Sequence, residues 1–210
     1  MPEIETPANV RSRRTRSALL SAARALLEEG GAEALTMAAV AERAAVTRRT
    51  VYMHFGSRAE LVGGLFEHVA EAEGLDDSLR RVWEAPDAAS ALDEWARHLA
   101  RYHTRVLAID RAIQLSRRAD EDAGRHRRRA MSAKLQSCRR LARRLDEDGQ
   151  LAEQWTAETA ADMLFALSSS DVVEGLTVDR GWSQQKFAAQ LGAVLRHTFL
   201  GSNDGTEPRG

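Results

Sequence analysis

Within eight residues the chain sets Thr47-Arg48-Arg49-Thr50, Tyr52 and His54. The opening turn Thr-Arg-Arg-Thr of a short helix directs backbone amides and two guanidinium groups outward together. That chemistry is recognition of anions and of base edges. A guanidinium fork matches the two acceptors of guanine in a major groove, so Arg48 and Arg49 are the candidate base readers.

The elements around this turn must hold it outward. Thr36 is placed to cap a short helix carrying Met37, Val40, Ala41 and Ala44 at helical spacing. Ala45-Val46 interrupts it, and Thr47 caps the next helix. Ser57 caps a third, with Glu60 in position to complete a capping box. Val46, Val51 and Phe55 supply the apolar anchors. Upstream, Leu19, Ala22, Ala23, Leu26 and Leu27 form the buried stripe of a helix expected to end at Gly30-Gly31. Downstream, Leu61, Val62, Leu65, Phe66 and Val69 form the stripe of another. That helix contains Gly63-Gly64, each glycine costing about 1 kcal/mol relative to alanine. The pair reads either as a soft point or as a close approach to the first helix, and close packing is the preferred reading.

Ala44-Ala45-Val46-Thr47, Arg48-Arg49-Thr50-Val51-Tyr52, Met53-His54-Phe55 and Ser57-Arg58-Ala59-Glu60 together resemble the DNA-binding motif of the TetR (tetracycline-repressor-type) regulators. That motif runs roughly Ala-Gly-Val-Ser, Lys-Gly-Thr-Leu-Tyr, His-His-Phe, Ser-Lys-Glu. The resemblance is close over the first third of the chain and extends to the rest only in helical layout. It implies that Thr50, Tyr52 and His54 hydrogen-bond phosphates and that Arg58 meets the DNA backbone; Thr36 is read as a phosphate donor as well as a cap. It also implies a homodimer paired through the last two long helices, and a repressor released from a palindromic operator by a small organic effector. Two residues depart from the pattern. Ala45 stands where a turn glycine at positive φ is usual, at a cost of about 1 kcal/mol. Arg49 adds a long cation where the pattern has glycine.

Charge agrees with a polyanion partner. Residues 11–58 hold nine arginines and four glutamates, an excess of five positive charges in a chain of net charge −1, so the remainder carries −6. Arg11, Arg13, Arg14 and Arg16 read as an arm touching phosphates or as a solvated helix start, after a loose segment from Met1 to Val10. The single cysteine, Cys138, excludes an intrachain disulfide. No signal-like core or membrane-length apolar run is present, which predicts a cytoplasmic protein.

The remaining pattern predicts an all-α protein. Expected are an N-terminal three-helix helix-turn-helix DNA-binding domain (11–58, with 58–74 linking) and a C-terminal helical ligand-binding and dimerisation bundle (75–200), with flexible tails at 1–10 and 201–210. A boundary is expected near Gly74 to Pro86. A helix follows from Asp87 with Leu92, Trp95, Leu99, Tyr102 and Val106 on one face, extended by Ile109, Ile113 and Leu115. Another spans Asp120 to Glu147 with the seam Met131, Leu135, Cys138, Ala142 and Leu145. Thr156 to Leu176 and Ser183 to Phe199 are the last two. Candidate ligand-lining residues are Trp95, His98, Tyr102, Ile113, Met131, Cys138, Phe165 and Ser169, suited to a moderately apolar organic molecule. No His, including His68, His103, His126 and His197, has metal-ligand spacing. No phosphate loop, nucleophile elbow or zinc helix is present, so neither catalysis nor a cofactor is expected. A helical ligand- or partner-binding dimer without sequence-specific DNA binding stays open, through Ala45 and Arg49.

Overall fold

A proline at its start and a glycine kink near its end mark the first element. The computed structural model describes residues 7–116 and 121–201; the arm before Pro7 and the tail beyond Gly201 lie outside the described residues, as do the side chains of Leu115 and His126. Helix α1 spans Pro7–Ala34 and kinks at Gly31, whose φ is 68°. It differs from the sequence expectation at both ends. Pro7, with φ already fixed near the helical value, starts the helix inside the segment read as a loose arm. Gly31 breaks the ladder, yet the chain re-enters a helical turn and runs to Ala34.

Helices α2 (Met37–Arg43), α3 (Arg48–His54) and α4 (Arg58–Ala72) follow. Thr36, Thr47 and Ser57 cap them through side-chain oxygens that accept from Ala39, Thr50 and Glu60 amides. The capping box expected at Ser57 closes one residue earlier. Glu60 Oε2 accepts from the Gly56 N–H at 2.9 Å.

The chain divides into two compact units. One comprises residues up to Glu73 together with Val106–Arg129; the other comprises Gly74–Arg105 together with residues from Ala130 on. The sequence pattern predicts a single boundary, near Gly74. The first unit buries Leu19, Ala23, Leu27, Leu35, Val40, Val51, Phe55, Leu61, Leu65 and Val69 in one apolar cluster, joined by Ile109 and Ile113.

The second unit begins with α5 (Leu75–Trp83), within the stretch expected to be a boundary. Asp76 and Asp77 occupy its first turn, where carboxylates favour a helix, and Ser78 and Val82 are its buried residues. Helix α6 (Ala88–His98) passes into a π-helical turn, Leu99–His103, and then α7 (Thr104–Ser116). Helix α8 (Glu121–Glu147) buries Cys138, Leu141, Ala142 and Leu145. The single helix expected from Thr156 to Leu176 is divided into α9 (Ala157–Leu167), α10 (Ser170–Glu174) and a π-helical turn, Gly175–Asp179. Serine chemistry makes the break: Ser168 Oγ donates to the Leu164 carbonyl at 2.6 Å, and Ser169 Oγ accepts from the Val172 amide to cap α10. Helix α11 (Gln184–Phe199) packs along α6, and Arg196 pairs with Asp93. Trp95, Leu164, Phe187, Leu195 and Phe199 are in this unit's core. Among the described residues no strand forms; Leu151 and Leu200 make an isolated antiparallel bridge.

Candidate nucleic-acid interface

The turn between α2 and α3 fixes where α3 points. The Val46 amide donates to the Ala41 carbonyl at 2.9 Å and the Ala45 amide to Glu42 at 3.1 Å. This is a Schellman closure, and it requires a left-handed residue between helix end and exit. Ala45 takes that conformation, with φ of 53°. The strain expected from replacing glycine here is therefore present in the fold.

Helix α3 is seven residues long, and Val51 is its buried residue, followed by the buried Phe55 at its C-cap. One helical face is thus spent on anchoring, and Arg48, Arg49, Tyr52 and Met53 are exposed. Tyr52 keeps 55% of its surface in solvent and Met53 75%. At such exposure neither side chain adds to the core of the head. Met53 is a candidate contact that the sequence reading did not select; its place four residues after Arg49 was the available signal.

The hydroxyls are partly engaged. Thr47 Oγ1 accepts from the Thr50 amide at 3.2 Å and lies 3.0 Å from Thr50 Oγ1, while Thr36 Oγ1 accepts from Ala39 at 3.1 Å. The Thr36 hydroxyl keeps its proton to donate to a phosphate oxygen, and because one hydroxyl of the Thr47–Thr50 pair donates to the other, that pair keeps one. Arg58 is also engaged within the head. It is half-buried, and its Nε donates to the Leu35 carbonyl at 2.8 Å, bracing the link between α1 and α2.

Arg16 also departs from the arginine group in which it was read. Arg11, Arg13 and Arg14 are exposed on α1, whereas Arg16 is half-buried. Its Nη1 donates to the carbonyl of His54 at 3.1 Å, and its guanidinium carbon lies 4.3 Å from the Phe55 ring centroid. His54 itself is half-buried at the end of α3.

In the second unit, three of the ligand-lining candidates come together. Trp95 and His98 rings are 5.3 Å apart, and His98 stacks on Tyr102 at 5.7 Å with planes 8° apart. Trp95 Nε1 donates to Ser168 Oγ at 2.8 Å, and His98 Nδ1 lies 3.0 Å from Ser78 Oγ. Burial, then the neighbouring Arg101 and Lys134 charges, lowers the His98 pKa to about 3, so the ring is neutral. His103, edge-on to His98, is lowered well below its usual value, first by desolvation and then by Lys134 and His98. Lys134 Nζ donates to the Ser168 carbonyl at 2.8 Å. Cys138 is fully buried, and burial pushes its thiol up to about 12. Ser78, His103, Lys134 and Ser168 join this cluster without having been selected from the sequence; spacing offered no signal because they come from separate helices. Ile113 belongs instead to the apolar cluster of the first unit, and Ser169 is occupied as a cap. Met131 and Phe165 are half-buried. Among the described residues no group of three or more His, Cys, Asp or Glu could hold a metal, and no helix is long and apolar enough to cross a membrane.

Comparison with known proteins agrees with the head geometry. The family model for bacterial regulatory proteins of the tetR family matches residues 19–65, which span the latter part of α1, the first part of α4 and everything between. The HTH-type transcriptional regulator TtgR of Pseudomonas putida is 36% identical over 78 residues, 37% of this chain and 36% of the relative. The matched stretch thus spans about a third of that relative's length. Among solved structures, NalD, the secondary repressor of the MexAB-OprM multidrug efflux pump in Pseudomonas aeruginosa, aligns with a TM-score of 0.71 at 21% identity, over 91% of this chain and 98% of NalD. A Saccharomonospora viridis protein solved in complex with choline aligns with a TM-score of 0.72 at 16% identity, over 90% of this chain and 98% of the other. At such identities these two likenesses are of fold.

Proposed function

We propose that this chain, a member of the tetR family of bacterial regulatory proteins by its residues 19–65, is a DNA-binding transcriptional repressor acting as a homodimer in the cytoplasm. The observation that carries the proposal is the division of α3. Val51 and Phe55 are buried in the head, while Arg48, Arg49, Tyr52 and Met53 stand in solvent on a helix small enough for a major groove. Arg48 and Arg49 read base edges, guanine first. Thr36, Thr47, Thr50, Tyr52 and His54 meet phosphates, and Arg58 orders the backbone beside them. NalD, a repressor, supports the regulatory sense of the reading.

One head covers too few base pairs for specificity, so pairing of two chains belongs to the same reading. Met163 on α9, Val178 after α10 and Val194 on α11 are exposed at 41%, 59% and 49%. Apolar surface on the last helices favours them as the dimer faces, and a twofold dimer reads a palindromic operator with half-sites about 34–36 Å apart or a multiple of that. Gly74–Arg105 and the residues from Ala130 on form the ligand-binding and dimerisation part in this reading. The aromatic and histidine cluster around Trp95, His98 and Tyr102 is the region where a small organic effector acts, with Met131, Cys138 and Phe165 as further lining candidates. The Saccharomonospora viridis relative, which holds choline, supports an effector of that size. An effector that favours wrongly spaced heads releases the operator.

Selection of sequences from random DNA by the purified protein tests the proposal. A twofold-symmetric site is the expected product. Arg48→Ala is expected to weaken the selected site by about 1–3 kcal/mol and to relax one base position. Absence of any enriched sequence, or full affinity in an Arg48→Ala/Tyr52→Phe protein, would refute it in favour of a partner-binding dimer.

A further inference from the structure

Helix α3 is a weakly anchored element. It has seven residues, one buried side chain, and a left-handed alanine at its entrance. Helices this short are marginal by themselves, so contacts from outside must set its angle. At its C-terminal end the last carbonyls lack intrahelical donors. One of them, on His54, receives the Arg16 guanidinium at 3.1 Å. A cation there complements the helix dipole as well as the lone pair.

Arg16 reaches that carbonyl through a slot. Its guanidinium lies over the Phe55 ring, 4.3 Å from the centroid, and Phe55 is the C-cap residue of α3. The opposite wall is α4 at Gly64. A Cβ at that position would stand 2.9 Å from Phe55 Cε1, 3.0 Å from Arg16 Nη2 and 3.6 Å from Leu20 Cδ2. A separation of 2.9 Å from a buried ring carbon is below contact distance, so the ring or the guanidinium would have to shift out of this arrangement. At the adjacent Gly63, a Cβ would meet nothing within 4 Å. The two glycines are therefore unequal, and only the second is demanded by packing.

We infer that Arg16 is a positioning residue for the recognition helix: it fixes the C-terminal end of α3 by holding the His54 carbonyl and the Phe55 ring in a slot that glycine at position 64 keeps open. Arg16 does not itself contact DNA. The inference rests on the proposed DNA-binding function. It differs from that function's direct contacts in one measurable way, the release of counterions. An arginine bound to phosphate contributes to the salt dependence of binding, whereas an arginine that orients a helix does not.

The test uses the full-length protein with Arg16→Ala, Arg16→Lys, Gly64→Ala and Gly63→Ala. Affinity is measured for the selected operator duplex and for a scrambled duplex of equal length, each from about 50 to 200 mM salt. Arg16→Ala is expected to weaken operator binding roughly 10- to 100-fold, the scale of one charge-assisted hydrogen bond. The slope of log affinity against log salt and the affinity for scrambled DNA stay unchanged. Gly64→Ala gives the same pattern and Gly63→Ala gives the wild-type values. Arg16→Lys keeps the charge but loses the planar stacking, and recovers only part of the affinity. A slope reduced by about one, with scrambled DNA weakened in parallel, would overturn the inference in favour of a phosphate contact. Full rescue by lysine, or a silent Gly64→Ala, would overturn it as well. If the wild-type protein selects no DNA site, the proposed function fails. The inference is then read from amide exchange at Phe55, whose N–H bonds to Val51 at 2.9 Å. Faster exchange in Arg16→Ala at an unchanged global melting temperature supports it, and unchanged exchange overturns it.

Discussion

Ala45→Gly is expected to stabilise the protein. The residue sits at φ 53° because the Schellman closure from Val46 to Ala41 and from Ala45 to Glu42 requires a left-handed conformation there. An L-residue with a Cβ loses about 1–2 kcal/mol in that region. Glycine removes this cost but widens the unfolded ensemble, which returns about 0.4–1 kcal/mol. Ala45 is exposed, so no core contact is lost with its methyl group. The net gain is on the order of 0.5–1 kcal/mol, which corresponds to about 1–4 °C in melting temperature for a chain of this length. Urea unfolding should show a higher midpoint with an unchanged slope. Ala45→Val, which adds branching at the same backbone angles, should move the midpoint the other way. Lower stability in Ala45→Gly would refute the argument, since it would mean that the turn is not strained by the alanine.

Other outcomes follow from features outside the turn. Gly63→Ala, in the interior of α4 and facing open space, should raise stability by about 1 kcal/mol in the same unfolding assay. The His98 pKa is lowered to about 3 by burial, below its unfolded value near 6.5. The unfolded chain therefore binds the extra proton first as pH falls. His98 leaves stability unaffected above about pH 6.5 and removes up to about 1.4 kcal/mol per pH unit between about 6.5 and 3. Denaturation midpoints from about pH 7.5 to 5 should fall less steeply in His98→Gln, and an equal slope would refute this. Cys138, fully buried with its thiol pushed up to about 12, should react with a thiol reagent only at the rate at which the protein opens. Reaction as fast as that of a free thiol under native conditions would refute the burial.

The parts most legible in the sequence were those governed by neighbours along the chain. Thr36, Thr47 and Ser57 cap the helices assigned to them, because a cap is decided within three residues. The positive φ at Ala45 was expected from the resemblance, which puts a turn glycine at that place. What escaped depends on partners far away in sequence. Arg16 and His54 are 38 residues apart, and Trp95 and Ser168 are 73 apart, so spacing does not announce either bond. Helix α5 falls in the stretch expected to be a boundary, although Asp76 and Asp77 lie where carboxylates favour a helix start. The division at Ser168 was missed because a serine that bonds its own i−4 carbonyl looks like helix interior until its neighbour caps the next segment. Arg58 was read by likeness as facing DNA, and its bond to Leu35 could not be inferred from one sequence.

The first unit is assembled from two stretches, with Val106–Arg129 completing what residues up to Glu73 begin. Ile109 and Ile113 are buried in its apolar cluster. A fragment ending at Glu73 would lack both side chains, each worth about 1.5–3 kcal/mol of burial. A chimaera that grafts only the stretch up to Glu73 onto another protein would therefore carry a head with a hole in its floor, and a transplant that keeps the reading helix in register must bring the later stretch with it.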